Sequence, residues 1–247
     1  MEAQSTRTKD RQADWAEPVE RLVVRELPKE ALNLNVEGRR PGGLLKGFGQ
    51  LWQKTYQIAL PGLTVTPGEV VQIWKDRFSS FWPEGARFYR SGPAGQAMQP
   101  GDVAVLNLDG PGGALISTGI MVMYADDEAF SFMTPEGHMF AGMITFSAYE
   151  ENGVTMAQAQ AFIRGNDPLV EVLLRLGLGH KSEDVFWQGT LRNLATHLGI
   201  EAEPAEPRYV LVDRSVQWAE ARNIWQSAGI RTILHTPVRW IRRLRLA

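Results

Sequence analysis

The sequence predicts an α+β fold in which a curved antiparallel sheet wraps around one long helix. Three observations carry this expectation. From Ala86 onward, short apolar segments with period-two alternation are separated by Gly, Pro and Asp turns, the spacing of an antiparallel meander. Asn152-Gly153 lies between HMFAGMITFSAYEE and VTMAQAQAFIRG. That dipeptide suits a type I′ hairpin, because both central residues take positive φ. The next helical segment, SEDVFWQGTLRNLATHLG, carries Trp187, Leu191, Leu194 and Leu198 on one stripe, which only the sheet can cover.

Taken in order, residues 1–42 form a charge-dense N-terminal arm, with a short strand expected around Arg21 to Leu27. Residues 43–200 form the main domain, and 201–247 a C-terminal extension. Tyr56, Ile58 and Leu60 alternate within KTYQIAL, which predicts a strand that Pro61-Gly62 stops. Val70, Trp74, Phe78 and Phe81 then predict an amphipathic helix running to Pro83. Thr66 is its N-cap, Pro67 its first residue and Glu69 the partner in a capping box. A short helix is expected from Asp167 to Leu176, with Asn166 or Asp167 as its cap, Pro168 at its start and Gly177 past its end. The long helix is expected to be capped by Ser182 and stopped by Gly199.

The hairpin turn fixes a register. If Glu151 faces Val154, one face carries Ala148–Ala157, Phe146–Ala159, Ile144–Ala161 and Gly142–Ile163. The other carries Tyr149–Met156, Ser147–Gln158, Thr145–Gln160, Met143–Phe162 and Ala141–Arg164. The first face is more apolar and should turn toward the helix. Its four alanines leave volume open to either a cavity or close helix packing. The second reads as a solvent face, with a polar cavity as the alternative.

Composition narrows the function classes. The 247 residues include no cysteine, which excludes disulfides, thiol catalysis and Cys-ligated metal. No apolar run reaches the roughly 20 residues of a membrane span, and the polar start is no signal peptide; the expectation is a cytoplasmic protein. The four histidines form no HExxH, so no metal is expected. GPGG at 110–113 lacks the GxGxxG spacing of a nucleotide loop, and no cofactor is expected. Five of the 26 basic residues fall after Gly229 with no acid among them, leaving 21 basic against 28 acidic groups elsewhere, or −7.

KTYQIALPG, then VVQIWKDRFSSFWP, then MVMYADDEAFSFMTPEGHMFAGMITFSAYEENGVTMAQAQAFIRG, then FWQGTLRNLATHLG together resemble the START-like superfamily. This superfamily is also called SRPBCC or the birch-pollen-allergen-like, polyketide-cyclase-like helix-grip fold. The likeness spans about Gly43 to Gly199 and falls in a little-characterised branch. It implies a ligand cavity between sheet and long helix. Members bind lipids, sterols, polyketides and plant hormones, and a minority are cyclases, dehydratases or hydrolases.

The leading expectation is therefore binding or transfer of a small or medium hydrophobic ligand without catalysis. Trp74, Phe78, Phe81, Ile144, Phe146, Ile163, Trp187 and Leu191 are the contacts. A second reading is a cyclase- or dehydratase-like enzyme using His138, Glu136 or Arg164 as acid–base or oxyanion-holding groups. The ordinary alternative makes His138 a turn residue with a solvated imidazole. A third reading uses the basic end, where Arg239, Trp240, Arg242, Arg243 and Arg245 suit a peripheral membrane surface or a protein partner better than nucleic acid. Within the extension, PRYVLVD suggests an extra strand and DRSVQWAEARNIWQSAG a helix.

Overall fold

A computed structural model describes residues 12–92, 97–109, 115–232 and 234–235. Eight strands form one antiparallel sheet: β1 (Leu51–Leu60), β2 (Ala86–Arg90), β3 (Val103–Asp109), β4 (Leu115–Ala125), β5 (Ala129–Met133), β6 (Phe140–Glu151), β7 (Val154–Gly165) and β8 (Arg208–Asp213). Their order is β2-β3-β4-β5-β6-β7-β1-β8. Neighbouring strands from β2 to β7 are consecutive in the chain, the signature of a meander, and β1 closes against β7. The hairpin has the expected register, with Glu151 opposite Val154 and Phe146 opposite Ala159. Asn152 at φ 52° and Gly153 at φ 76° supply the two positive angles of the turn.

Helix α1 (Pro67–Asp76) lies between β1 and β2, and α2 (Pro168–Arg175) and α3 (Leu178–His197) lie between β7 and β8. Thr66 and Glu69 make the full capping box of α1, each side chain bonded to the other's backbone N–H. The α-helix stops at Arg77 rather than at Pro83, and Phe78–Phe81 continues as a 3₁₀ turn. A 3₁₀ turn stacks residues three apart on one side, so Phe78 and Phe81 both enter the core. Asp167 caps α2 by accepting from the N–H groups of Leu169 and Val170.

Ser182 does not cap α3. The helix begins one turn earlier, after Gly177 at φ 76°, and the Ser182 hydroxyl bonds back to the Gly179 carbonyl inside it. A left-handed glycine ends α2 and redirects the chain straight into α3, which leaves no separate capping position. At the other end the Gly199 N–H bonds to Thr196 O and the Ile200 N–H to Ala195 O, a Schellman closure.

Both faces of the sheet are covered. On the inner face α1 and α3 pack over β5, β6, β7 and β1, burying Tyr56, Ile58, Val70, Trp74, Phe146, Leu191 and Leu194. On the outer face the N-terminal arm places Leu22 and Val36 against Val103, Val105 and Met121. Arg21 to Leu27 is not a strand. Leu22 instead exchanges backbone hydrogen bonds with Gly38 and Arg39, folding the arm on itself. The Asn107 amide then ties the arm to β3 by bonding both the N–H and the carbonyl of Leu32 at 2.8 Å.

The extension adds β8 to the free edge of β1, as PRYVLVD suggested. Trp218–Gln226 is a 3₁₀ helix rather than an α-helix. Its two tryptophans, Trp218 and Trp225, are 77% and 84% exposed, so no buried stripe enforces an α-helical period. The GPGG stretch at 110–113 and the basic end with Arg239, Trp240, Arg242, Arg243 and Arg245 lie outside the described residues.

Candidate functional site

The region between the sheet and α3 is built from residues of very different length. Ala157, Ala159 and Ala161 of β7 are all within 1% of full burial, and they face Ile58, Tyr56 and Lys54 of β1 across the ladder. Short side chains on one strand thus give the long ones beside them room to lie under α3.

One end of this region is a continuous set of rings. Phe78 lies with its centroid 5.0 Å from those of Phe132 and Phe146 and 5.6 Å from Phe130. Trp74 stands edge-on to Phe146 at 5.2 Å, and Trp187 approaches Phe146 at 5.4 Å. Tilted and edge-to-face contacts of this kind add about 0.5–1.5 kcal/mol each beyond simple burial. The set continues outward through half-buried rings: Phe88 to Trp82 at 5.2 Å, Trp82 to Phe186 at 5.0 Å, Phe186 to Trp187 at 4.7 Å. A path of aromatic surface therefore runs from solvent to the buried centre. Two indole N–H groups on it, those of Trp74 and Trp82, are buried without a hydrogen-bond partner among the described residues. A buried donor of this kind ordinarily finds an acceptor.

Of the contacts expected from sequence, Trp74, Phe78, Phe81, Phe146 and Leu191 are buried in this cluster, with Ile144 and Trp187 half-buried against it. Ile163 is buried on the same face of β7. It lies beyond Ala161, opposite Gly142 and Trp52, and outside the ring cluster.

The other end is polar and charged. The Lys54 ammonium is fully buried and donates to Glu183 at 2.7 Å and to Asp184 at 3.1 Å. Asp184 also accepts from the hydroxyls of Tyr56, at 2.9 Å, and Tyr209, at 2.5 Å. The Tyr209 ring lies 5.1 Å from the ammonium, a cation–π contact. Burial raises the Glu183 carboxyl above its ordinary range, and Lys54 pulls it back. Burial and the neighbouring carboxylates also push the Tyr56 phenol up, so it stays a hydrogen-bond donor. His180 sits edge-on to Trp52 at 5.1 Å, its imidazole pKa lowered by burial and then by Lys54.

Sequence reasoning missed this cluster. The available signal was Lys54 itself: it shares strand parity with Tyr56, Ile58 and Leu60, so it must point inward with them. A lysine on a buried face needs a carboxylate, and Glu183-Asp184 at the start of the long helix supplies two.

The three acid–base candidates have other partners. Arg164 is buried on the sheet face opposite the alanines, as the alternation requires. Its guanidinium donates to the carbonyls of Gly49, at 2.7 Å, and Ser215, at 3.2 Å, and forms an ion pair with Asp213. The fork does hold a carboxylate, but one from its own chain, whose pKa that bond and the Ser215 backbone N–H lower to about 2. His138 is buried rather than solvated. Its Nδ1 accepts from the Phe140 N–H at 3.0 Å, and burial lowers its pKa to about 4. Glu136 accepts from the Arg40 N–H at 3.4 Å. Among the described residues no hydrogen bond joins these three side chains to one another, and no cluster of metal-ligating side chains occurs.

An antiparallel sheet that holds a long helix against one face is the helix-grip arrangement expected from the sequence. No protein-family model matches this sequence, and no curated protein does. Among solved structures it is similar to protein Ms6760 from Mycobacterium smegmatis, with 14% identity over 60% of this chain and 90% of that one and a TM-score of 0.41. It is also similar to the di-domain ARO/CYC StfQ from the steffimycin biosynthetic pathway, with 10% identity, 61% and 51% coverage and a TM-score of 0.45. A third likeness is to ginseng major latex-like protein 151 from Panax ginseng, with 12% identity, 60% and 98% coverage and a TM-score of 0.39. No helix among the described residues is long and apolar enough to cross a membrane.

Proposed function

We propose that this protein binds a small or medium hydrophobic ligand between the inner face of the sheet and α3. The observation that carries the proposal is the pair of indole N–H groups, those of Trp74 and Trp82, buried without a partner among the described residues on a path of rings that begins half-buried. Rings Phe88, Trp82, Phe186 and Trp187 offer an apolar guest a way in. The N–H groups of Trp74 and Trp82 suit a carbonyl, ether or hydroxyl oxygen on it. Entry requires the rings to part, which their tilted packing and half-buried outer members favour. The Lys54–Glu183–Asp184 cluster closes the other end. The enzymatic alternative lacks comparable support, because Arg164, His138 and Glu136 are engaged with backbone groups and Asp213.

Prodan, a neutral naphthalene carrying one carbonyl, tests the proposal through its polarity-dependent emission. Saturable, blue-shifted binding of one prodan per chain is expected. Trp82→Phe keeps the ring but removes the donor and should weaken binding about fivefold, the worth of one neutral hydrogen bond. Emission that stays at its aqueous wavelength at all protein concentrations would exclude the proposal.

A further inference from the structure

A cavity lies away from the gripped helix, between the N-terminal arm and the C-terminal extension. Its volume is about 660 Å³, within the range of small-molecule sites. Six cations line it: Arg21, Arg39, Arg40, Lys46, Arg222 and Arg231. Only three carboxylates accompany them, those of Glu37, Glu136 and Glu220. The ion pairs among the described residues all lie elsewhere. An excess of three positive charges thus gathers in one cleft of a chain whose net charge is −2.

The walls are fixed by backbone hydrogen bonds rather than by the charges. Leu22 donates to Arg39 O at 2.7 Å, Gly42 to Thr134 O at 2.8 Å and Glu136 to Arg40 O at 2.9 Å. From the other side Ala228 donates to Gly137 O at 2.7 Å, and the Asn223 amide to Lys46 O at 2.7 Å. Arg39 and Arg231 thus lie near enough to repel, and one nitrogen of the Arg39 guanidinium is buried with no partner among the described residues. Burial and then Arg231 both disfavour the charged form of Arg39, with Glu136 opposing them. An anion in the cleft would relieve this repulsion.

We propose that this cleft binds a phosphorylated small molecule. Phosphate oxygens match the guanidinium forks, and several cations around one cavity suit a group of more than one negative charge. The three carboxylates add acceptors for hydroxyl or amino groups on the body of the same ligand. This inference is independent of the hydrophobic site and stands or falls separately.

Isothermal titration of the full chain at low ionic strength tests it with inorganic pyrophosphate, ATP and inositol 1,4,5-trisphosphate, the last being the soluble form of a phospholipid headgroup. Saturable binding of at least one of these at one per chain is expected, and which one binds separates a free phosphate compound from a headgroup. The Arg39→Gln/Arg231→Gln double variant should bind at least tenfold more weakly. Arg222→Gln, at an exposed position, should weaken binding with the fold intact and serves if the double variant does not fold. Arg87→Gln, outside the cleft, should bind as the parent does. No saturable binding by any of the three probes, or affinity retained within twofold in the folded cleft variants, would overturn the proposal.

Discussion

A lysine ammonium taken out of water loses several kcal/mol of hydration unless acceptors replace the lost water. Lys54 has that replacement in Glu183 and Asp184, and Asp184 also accepts from the hydroxyls of Tyr56 and Tyr209. Removing only the cation leaves the two carboxylates near the start of α3 without a counter-charge. Lys54→Met should therefore lower stability by about 3–5 kcal/mol in urea titrations, whereas adding Glu183→Leu to it should recover part of the loss. His138 makes a separate prediction. Its folded pKa of about 4 lies below the ordinary 6.5, so its stabilising contribution is complete above the unfolded pKa. As pH falls the unfolded chain takes up the proton first, and the contribution shrinks until the folded pKa is passed. Between about pH 7.5 and about pH 5 the loss should be about 2 kcal/mol from this group. His138→Asn keeps an acceptor for the Phe140 N–H but does not titrate. Its urea midpoint should fall less over the same pH interval than that of the parent.

At the scale of elements, local chemistry decides what could be read in the chain. The Thr66 capping box, the Asp167 cap and the Asn152-Gly153 turn each depend on neighbours within a few residues, and each appears where its residues predict it. The start of α3 was not legible, because Ser182 is an acceptable cap by itself and only the left-handed Gly177 moves the start upstream. The break at Arg77 is equally a matter of tertiary fit, since the core takes Phe78 and Phe81 from one side of a tighter turn. Gly177→Ala should cost about 1 kcal/mol by denaturant titration, because a Cβ disfavours its positive φ and no neighbouring atom is needed to explain the loss.

For the molecule as a whole, the ring set was legible and the charged cluster was not. Trp74, Phe78, Phe146, Trp187 and Leu191 stand out through helical or strand periodicity, which brings them to one face whatever the details. The Lys54 cluster joins residues about 130 positions apart, and the arginine-lined cleft joins the N-terminal arm and the C-terminal extension to the turn at Gly137. Neither leaves a contiguous pattern in the sequence. The extensions are also more than appendages: one covers the outer face of β3 and β4, the other pairs with β1. They leave α1, α3 and the inner face as the place where we propose an apolar guest binds. Fluorine NMR of the full chain labelled with 5-fluorotryptophan, titrated with prodan, locates that guest directly. Single Trp→Phe substitutions assign the resonances. Saturable shifts at Trp74, Trp82 and Trp187, with Trp218 and Trp225 unmoved, are the result predicted by a ligand held under α3. Shifts confined to the exposed Trp218 and Trp225, or no shifts at all, would contradict it.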